Sequence, residues 1–245
     1  MFKMPVGHIM LDGPQYNFEL FASQFQTTWN RRIGFYRDGN FYGFISDGMV
    51  VGCALVPTPV PDPALKEIAK ESVMWSLAEH NVAKHTVHLM VTLDREKGPV
   101  ASHSLLSKVI YSMLHQRNVM GVYFKPGLFE PDYYIKCAEA LLSGKLPTEL
   151  WVHINSYGFD KSGSSTFFTY GMTKFGKKEF EIIDTKNNFV DTYYLLKDLI
   201  KRTIAEDIDF KNGDFTGPEG GAKIPLTVSK GKNIKGETIK IGVLN

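Results

Sequence analysis

Cysteine is nearly missing from this chain. Cys53 and Cys137 are the two in 245 residues. A pair so far apart makes neither a disulfide framework nor a zinc pattern. Each lies in an apolar run, as buried free thiols of a reducing compartment do. Long hydrophobic runs are missing too: no stretch reaches the roughly 18 apolar residues of a membrane-spanning helix. Residues 1–13 lack an extended apolar core and a small-residue cleavage site, so no secretory signal is expected and the expected location is cytoplasmic. An excess of charge of either sign is also absent. Lys and Arg total 28 against 26 Asp and Glu, a net +2, which disfavours nucleic acid or an anionic membrane as a partner.

The chemistry-bearing motifs are sparse as well. His80, His85 and His88 lie close together, but no metal-binding helix motif or spaced carboxylate accompanies them. His85 and His88, three apart on an expected strand over residues 85–93, would point to opposite faces. The glycine-rich run 213–223 lacks the spacing and the strand-to-helix context of a phosphate loop. Residues 161–165 contain no nucleophile elbow and read as a turn. Lys223, Lys230, Lys232, Lys235 and Lys240 dot the tail with few aromatics beside them, the pattern of a solvated strand edge rather than a nucleic-acid surface. No catalytic, cofactor-binding or metal-binding residue is assigned on these grounds.

What is present describes a packed α+β protein. Hydrophobic residues make up 43% and aromatics 13%, enough for a sizeable core. Residues 6–11 read as a strand. Asn17 then caps a helix whose Phe18, Phe21, Phe25 and Trp29 recur at helical spacing. Residues 34–45 and 49–56 form a hairpin around Asp47-Gly48. Pro57, Pro59, Pro61 and Pro63 enforce an extended link, with Asp62 positioned to cap a helix running to about residue 79. Val87, Leu89, Val91 and Leu93 line one face of the strand that follows. Strand-helix-strand-strand-helix-strand over residues 1–97 is the ferredoxin-like plan. Residues 98–245 repeat a similar order: a helix at 102–116, a strand at 119–124, a helix at 132–143 stopped by Gly144, further strands, and a helix capped by Asn188. A tail strand carries Ile239, Ile241 and Val243. The expected architecture is therefore α+β, with mainly antiparallel sheet, helices packed on one face, and two ferredoxin-like halves as a pseudo-duplication, with one shared sheet or two left open.

Residues 150–183 organise the second half. Two β-rich runs flank a turn at residues 160–163, and a glycine-paced segment leads into a third run. That run alternates: Glu179 out, Phe180 in, Glu181 out, Ile182 in. Three consecutive antiparallel strands at the centre of a sheet are expected. Glu179 and Glu181 would share a wet face about 7 Å apart, a separation that suits acid–base work or simple solvation. Trp151 follows Leu150 in an apolar run and reads as a core residue of the first of these strands.

This stretch also carries a family resemblance. Leu146-Pro147, Leu150-Trp151-Val152, Thr169-Tyr170-Gly171-Met172, Phe175-Gly176 and Glu179-Phe180-Glu181-Ile182 resemble a bacterial family known as domain of unknown function 4261. Val56-Pro57, Trp75, the histidine-bearing strand, Gly121-Val122-Tyr123 and Asn212-Gly213-Asp214 extend the likeness over most of the chain. The resemblance implies no activity, cofactor or catalytic residue. It does imply an association with toxin systems, and hence a non-enzymatic protein-binding role such as an immunity protein neutralising a toxin or effector. The expected partner surface is Tyr170, Lys174, Lys177, Glu179 and Glu181. The alternative expectation is an enzyme or small-ligand binder with a cleft between the halves, using Glu179, Glu181, His88 and His153.

Overall fold

The computed structural model describes residues 5–72, 75–94, 97–158, 163–217 and 223–242. The expected turn at 160–163 therefore lies largely outside the described residues, as do residues 218–222 of the glycine-rich run and Val243 of the tail strand. The chain divides into two compact units, Met1–Leu150 and Trp151–Asn245. The boundary expected at residue 97 falls inside the first unit, because the elements after it complete that unit's sheet.

The first unit runs β1 (Val6–Leu11), α1 (Phe18–Trp29), β2 (Tyr36–Asp38), β3 (Phe41–Ser46), β4 (Met49–Val56), α2 (Leu65–Lys70), α3 (Ala78–Lys84), β5 (Val87–Asp94), α4 (Pro99–Met113), β6 (Val119–Phe124), β7 (Gly127–Phe129) and α5 (Pro131–Ala138). Its strands form a seven-stranded sheet in the order β2-β3-β4-β5-β1-β6-β7. In the ferredoxin-like assignment over residues 1–97, β1 would lie between β4 and β5. It lies between β5 and β6, antiparallel to both. The strand-helix-strand-strand-helix-strand order is instead carried by β1, α1, β4, β5, α4 and β6, which gives the strand order β4-β5-β1-β6. The single helix expected to follow the prolines is two short helices, α2 and α3.

Strand parity sorts the residues of this sheet. Ile9 stands opposite Leu89 and Val122, and all three are fully buried. Their face packs against α1 and α4: Phe21 of α1 meets Phe44 of β3 at 5.8 Å between ring centroids, and a Cβ at Gly7 would meet Ile110 of α4. Met10 and Tyr123, on the opposite face, cluster with Leu65, Ala69, Trp75, Ala78 and Val82 around α2 and α3. Helices thus cover both faces, not one. Local signals placed several ends correctly. Asn17 Oδ1 accepts from the Leu20 N–H at 2.9 Å, and the Asp47-Gly48 turn takes positive φ at both residues, 50° and 73°, as a tight hairpin requires.

The second unit runs β8 (His153–Tyr157), β9 (Ser165–Tyr170), a 3-10 helix (Met172–Phe175), β10 (Glu179–Thr185), α7 (Phe189–Ala205), β11 (Phe215–Thr216), β12 (Ile224–Lys230) and β13 (Glu237–Ile241). Its six-stranded sheet has the order β11-β12-β13-β10-β9-β8. The three expected antiparallel strands β8, β9 and β10 are neighbours, with β8 at an edge and β10 inside. β10 pairs antiparallel with β9 and parallel with β13. The two units have separate sheets, and among the described residues the second carries a single long helix, so the expected duplication is not what the chain forms. The Asn188 side chain caps α7 as expected, accepting from Val190 N–H at 2.8 Å.

Trp151 ends a short helix, α6 (Thr148–Trp151), rather than lying on a strand. It is 3% exposed and stacks on Phe175 with ring centroids 5.7 Å apart. Truncating it removes most of a large buried side chain, so Trp151→Ala is expected to cost roughly 3–5 kcal/mol. Urea unfolding followed by circular dichroism checks this, and an unchanged midpoint would refute it.

Candidate functional site

The segment Thr169–Ile182 is built around one carboxylate, Glu179. The expected alternation places Glu179 and Glu181 on the side opposite Phe180 and Ile182, but neither glutamate is wet. Glu179 is 3% exposed and Glu181 is fully buried, which corrects their assignment to an exposed partner surface. Glu179 Oε2 accepts from the Thr169 hydroxyl at 2.7 Å. Its Oε1 accepts from the backbone N–H groups of Gly171 at 2.8 Å and Thr173 at 3.3 Å. The Thr169 hydroxyl in turn accepts from Phe180 N–H at 2.8 Å. The carboxylate thereby satisfies donors at the start of the 3-10 helix that links β9 to β10, as an N-cap does. Gly171 begins that turn at φ 127°, and a Cβ there would lie 2.7 Å from the Trp151 carbonyl oxygen. Gly176 ends it in the left-handed conformation, φ 71°. Glycine pacing, threonine and first glutamate together form one structural knot.

Glu181 is buried by a loop that folds back over its face. Residues 231–236 join β12 to β13, closed by the Gly231 N–H donating to Gly236 O at 2.7 Å. The N–H groups of Asn233 and Lys232 reach Glu181 at 2.7 and 3.1 Å, and the Thr238 hydroxyl at 2.7 Å. The Lys240 ammonium completes an ion pair on the same carboxylate. Burial alone would raise the Glu181 pKa. The Lys240, Thr238, Asn233 and Lys232 donors outweigh it and bring the group down to about 2. Lys232 and Lys240, read from sequence as solvated edge lysines, are partners of this acid, and Lys232 Nζ also reaches Asp184 at 3.2 Å. The glycines at 231 and 236 were the available signal, a tight loop between two alternating strands.

The remaining expected surface residues divide. Lys177 pairs with Asp207 at 2.8 Å and its side chain is 11% exposed. Lys174 is half-buried on the 3-10 helix. Burial lowers its pKa to about 8, against the opposing pull of Glu179. His153, whose pKa falls through burial and then the Lys174 charge, lies opposite Tyr170 in the β8–β9 ladder. Tyr170 is 47% exposed and Tyr157 48%. The pairings His153 with Tyr170, Asn155 with Phe168 and Tyr157 with Thr166 put these side chains on one face, at the end of the sheet where β8 is the last strand. Tyr157 is held in place: its hydroxyl donates to Asn233 Oδ1 at 2.8 Å, and its ring meets Phe168 edge-on.

The histidines of the first unit do structural work. His85 precedes β5 instead of lying on it, so it and His88 are not split between faces as expected. The Val60 N–H donates to His85 Nε2 at 2.9 Å, which leaves the proton on Nδ1 to donate to Val82 O at 2.6 Å. His88 Nδ1 donates to Thr58 O at 2.8 Å. Both rings therefore strap down the proline segment, whose own backbone has few donors. Beside them, Asp62 accepts from the Tyr123 hydroxyl at 2.7 Å and from Lys125 at 2.9 Å, and these bonds hold its pKa near 2. Among the described residues, no group of three or more His, Cys, Asp or Glu is placed to hold a metal ion. No helix of the described residues is long and apolar enough to cross a membrane.

No curated protein and no solved structure matches the chain. A family model does match, from Phe168 in β9 to Gly242 just beyond β13. That span holds the Glu179 knot, the Glu181 clamp and α7 between them. Residues 168–242 thus match the model of the family described as Domain of unknown function (DUF4261).

Proposed function

We propose that this chain is a protein-binding module, and that the second unit receives its partner along β8. One observation carries the reading: β8 is an edge of its sheet, and the half-exposed Tyr157 and Tyr170 stand on one face beside that edge. An edge strand offers backbone donors and acceptors to an added strand, and neighbouring side chains supply selectivity. Tyrosines restrained before binding lose little conformational freedom on contact and are frequent hot spots. Glu179 and Glu181 lie on the same face as the tyrosines and contribute by holding the 3-10 turn and the 231–236 loop in place there, since their oxygens are engaged internally. Neutralisation of a toxin or effector is the particular form of binding we propose, supported by the family resemblance.

The test is affinity purification of the tagged chain from its native host, repeated with a Tyr157→Ala/Tyr170→Ala double variant. One stoichiometric protein is expected with the wild type. Its affinity for the double variant should fall at least ~30-fold, about 2 kcal/mol, with the variant still folded and melting in one cooperative transition. A partner retained at full affinity by the double variant, or no stoichiometric partner at all, would overturn the reading.

A further inference from the structure

One atom of the first unit is not accounted for by its packing. His8 Nδ1 is buried and has no hydrogen-bond partner among the described residues. A buried polar atom without a partner costs free energy, and native folds leave few of them. Around it a short pattern occurs twice. His8-Ile9-Met10 on β1 runs antiparallel to His88-Leu89-Met90 on β5, with His8 opposite Met90 and Met10 opposite His88. Strand parity puts both histidines and both methionines on one face. The two imidazole rings meet edge to face, with centroids 5.0 Å apart. Tyr123, opposite His8 on β6, stacks on the His8 ring at 6.1 Å and helps to fix it.

We infer that His8, His88 and Met90 form a binding site for a soft metal cation, Cu(I). His88 already makes the outer hydrogen bond of a metal-bound imidazole. Its Nδ1–H donates to Thr58 O, which fixes the tautomer and leaves the Nε2 lone pair for a cation. His8 Nδ1 is the second nitrogen. With the ring centroids 5.0 Å apart, an ion about 2.0 Å from one nitrogen of each ring would see the two at roughly 100–110°. That angle leaves room for a third donor. Met90 supplies it: directly opposite residues have Cβ atoms about 5 Å apart, and Met90 is half-buried. Met10 is turned the other way, since its Cε and the Trp75 ring both occupy the space that a Cβ at Gly121 of β6 would need. Only two of these ligands are of the His, Cys, Asp or Glu type, so the set is distinct from the clusters excluded above. Imidazole suits zinc, copper, iron and nickel, whereas a thioether selects Cu(I) among them. His8 and Met90, with Val6 and Thr92 beside them, are half-buried and give the ion a path from solvent. Met10 and His88 close the site beneath, at 0% and 2% exposure.

Anaerobic competition of the full chain against the chromophoric Cu(I) chelator bicinchoninate tests this. The wild type is expected to withdraw one Cu(I) per chain. Losing a ligand should cost at least what losing an outer-shell partner does, so His8→Phe should weaken binding at least ~100-fold and Met90→Leu at least ~10-fold. His80→Ala, at an exposed histidine, and Cys137→Ser, at a half-buried thiol, should bind like the wild type. X-ray absorption of the Cu(I) complex should show nitrogen and sulfur ligands, with the sulfur signal gone in Met90→Leu. Circular dichroism melts verify folding. Met90→Leu conserves volume at a half-buried position, so it and the sulfur signal decide the matter if His8→Phe fails to fold. A wild type that leaves all the Cu(I) with the chelator would overturn the inference. So would a folded His8→Phe or Met90→Leu that binds as tightly as the wild type, loss of binding in Cys137→Ser or His80→Ala, or displacement of the Cu(I) by Zn(II). The β8 reading concerns the other unit and does not depend on any of these results.

Discussion

Glu181→Ala is expected to destabilise the second unit by about 3 kcal/mol or more, because it removes the fully buried carboxylate of an ion pair and leaves its donors stranded. Three neutral donors, on Asn233, Lys232 and Thr238, would lose their acceptor, and Lys240 would lose its counter-charge. Removing the other partner should be no milder. Lys240 is 22% exposed against 0% for Glu181, so Lys240→Met leaves the more deeply buried charge without its counter-ion, and a cost of roughly 3 kcal/mol is expected. A double variant should cost less than the sum of the singles, since the second change relieves what the first orphans. The pH dependence follows from the depressed pKa. An unfolded glutamate titrates at ~4.3, and the folded group at about 2. Its contribution is therefore complete above the unfolded value and is lost as pH falls through the folded one. Between pH ~5 and pH ~2 the wild type should lose stability faster than Glu181→Ala, whose unfolding free energy lacks this term. Parallel acid slopes for the two proteins would refute the clamp.

Gly171→Ala should be similarly costly for a different reason. Gly171 has φ 127°, outside the range of L residues, and its added Cβ would meet backbone on two sides, Trp151 O at 2.7 Å and Val152 Cα at 3.2 Å. Backbone cannot rotate away as a side-chain tip can. Dihedral strain alone is worth about 1–3 kcal/mol, and relief of the clash would pull the Gly171 and Thr173 N–H groups from Glu179. A total of roughly 3–4 kcal/mol is expected, with the loss shared between the 3-10 helix and the packing of Trp151 on Phe175. Gly176→Ala is the control. It also has positive φ, but nothing stands within 4 Å of its added Cβ, so it should cost only about 1 kcal/mol. Denaturant melts of the two variants separate these cases; equal costs would mean that close approach is not what requires glycine at position 171.

The parts of this fold that were legible in the sequence are those governed by neighbours along the chain. Asn17 and Asn188 sit before apolar helical stripes and cap them. Asp47-Gly48 turns a hairpin because both positions need positive φ. Val87, Leu89, Val91 and Leu93 alternate and are buried together. Even the side to which Glu179 and Glu181 point follows from their spacing with Phe180 and Ile182.

What their spacing could not reveal is what covers that side. Glu181 is dry because residues 231–236, fifty positions later, close over it, and β10 is internal because β13 returns to run parallel beside it. Period-two alternation divides a strand into two faces, and it carries no information on which later segment lands on either one. Pairing order in the first sheet was hidden for the same reason. The identities of β1, β4 and β5 were local facts, but β5 stands beside β4 and β1 lies next to β6 through contacts remote in sequence. The sequence by itself determined most of the elements, the caps at Asn17 and Asn188, the Asp47-Gly48 turn and the division of each strand into two sides, because dihedral preference and hydrophobic period act over a few residues. Only the tertiary structure decided that two expected surface carboxylates are internal anchors and that Tyr157 and Tyr170 stay half-exposed beside the edge strand β8, because burial is set by which distant segment packs on each face.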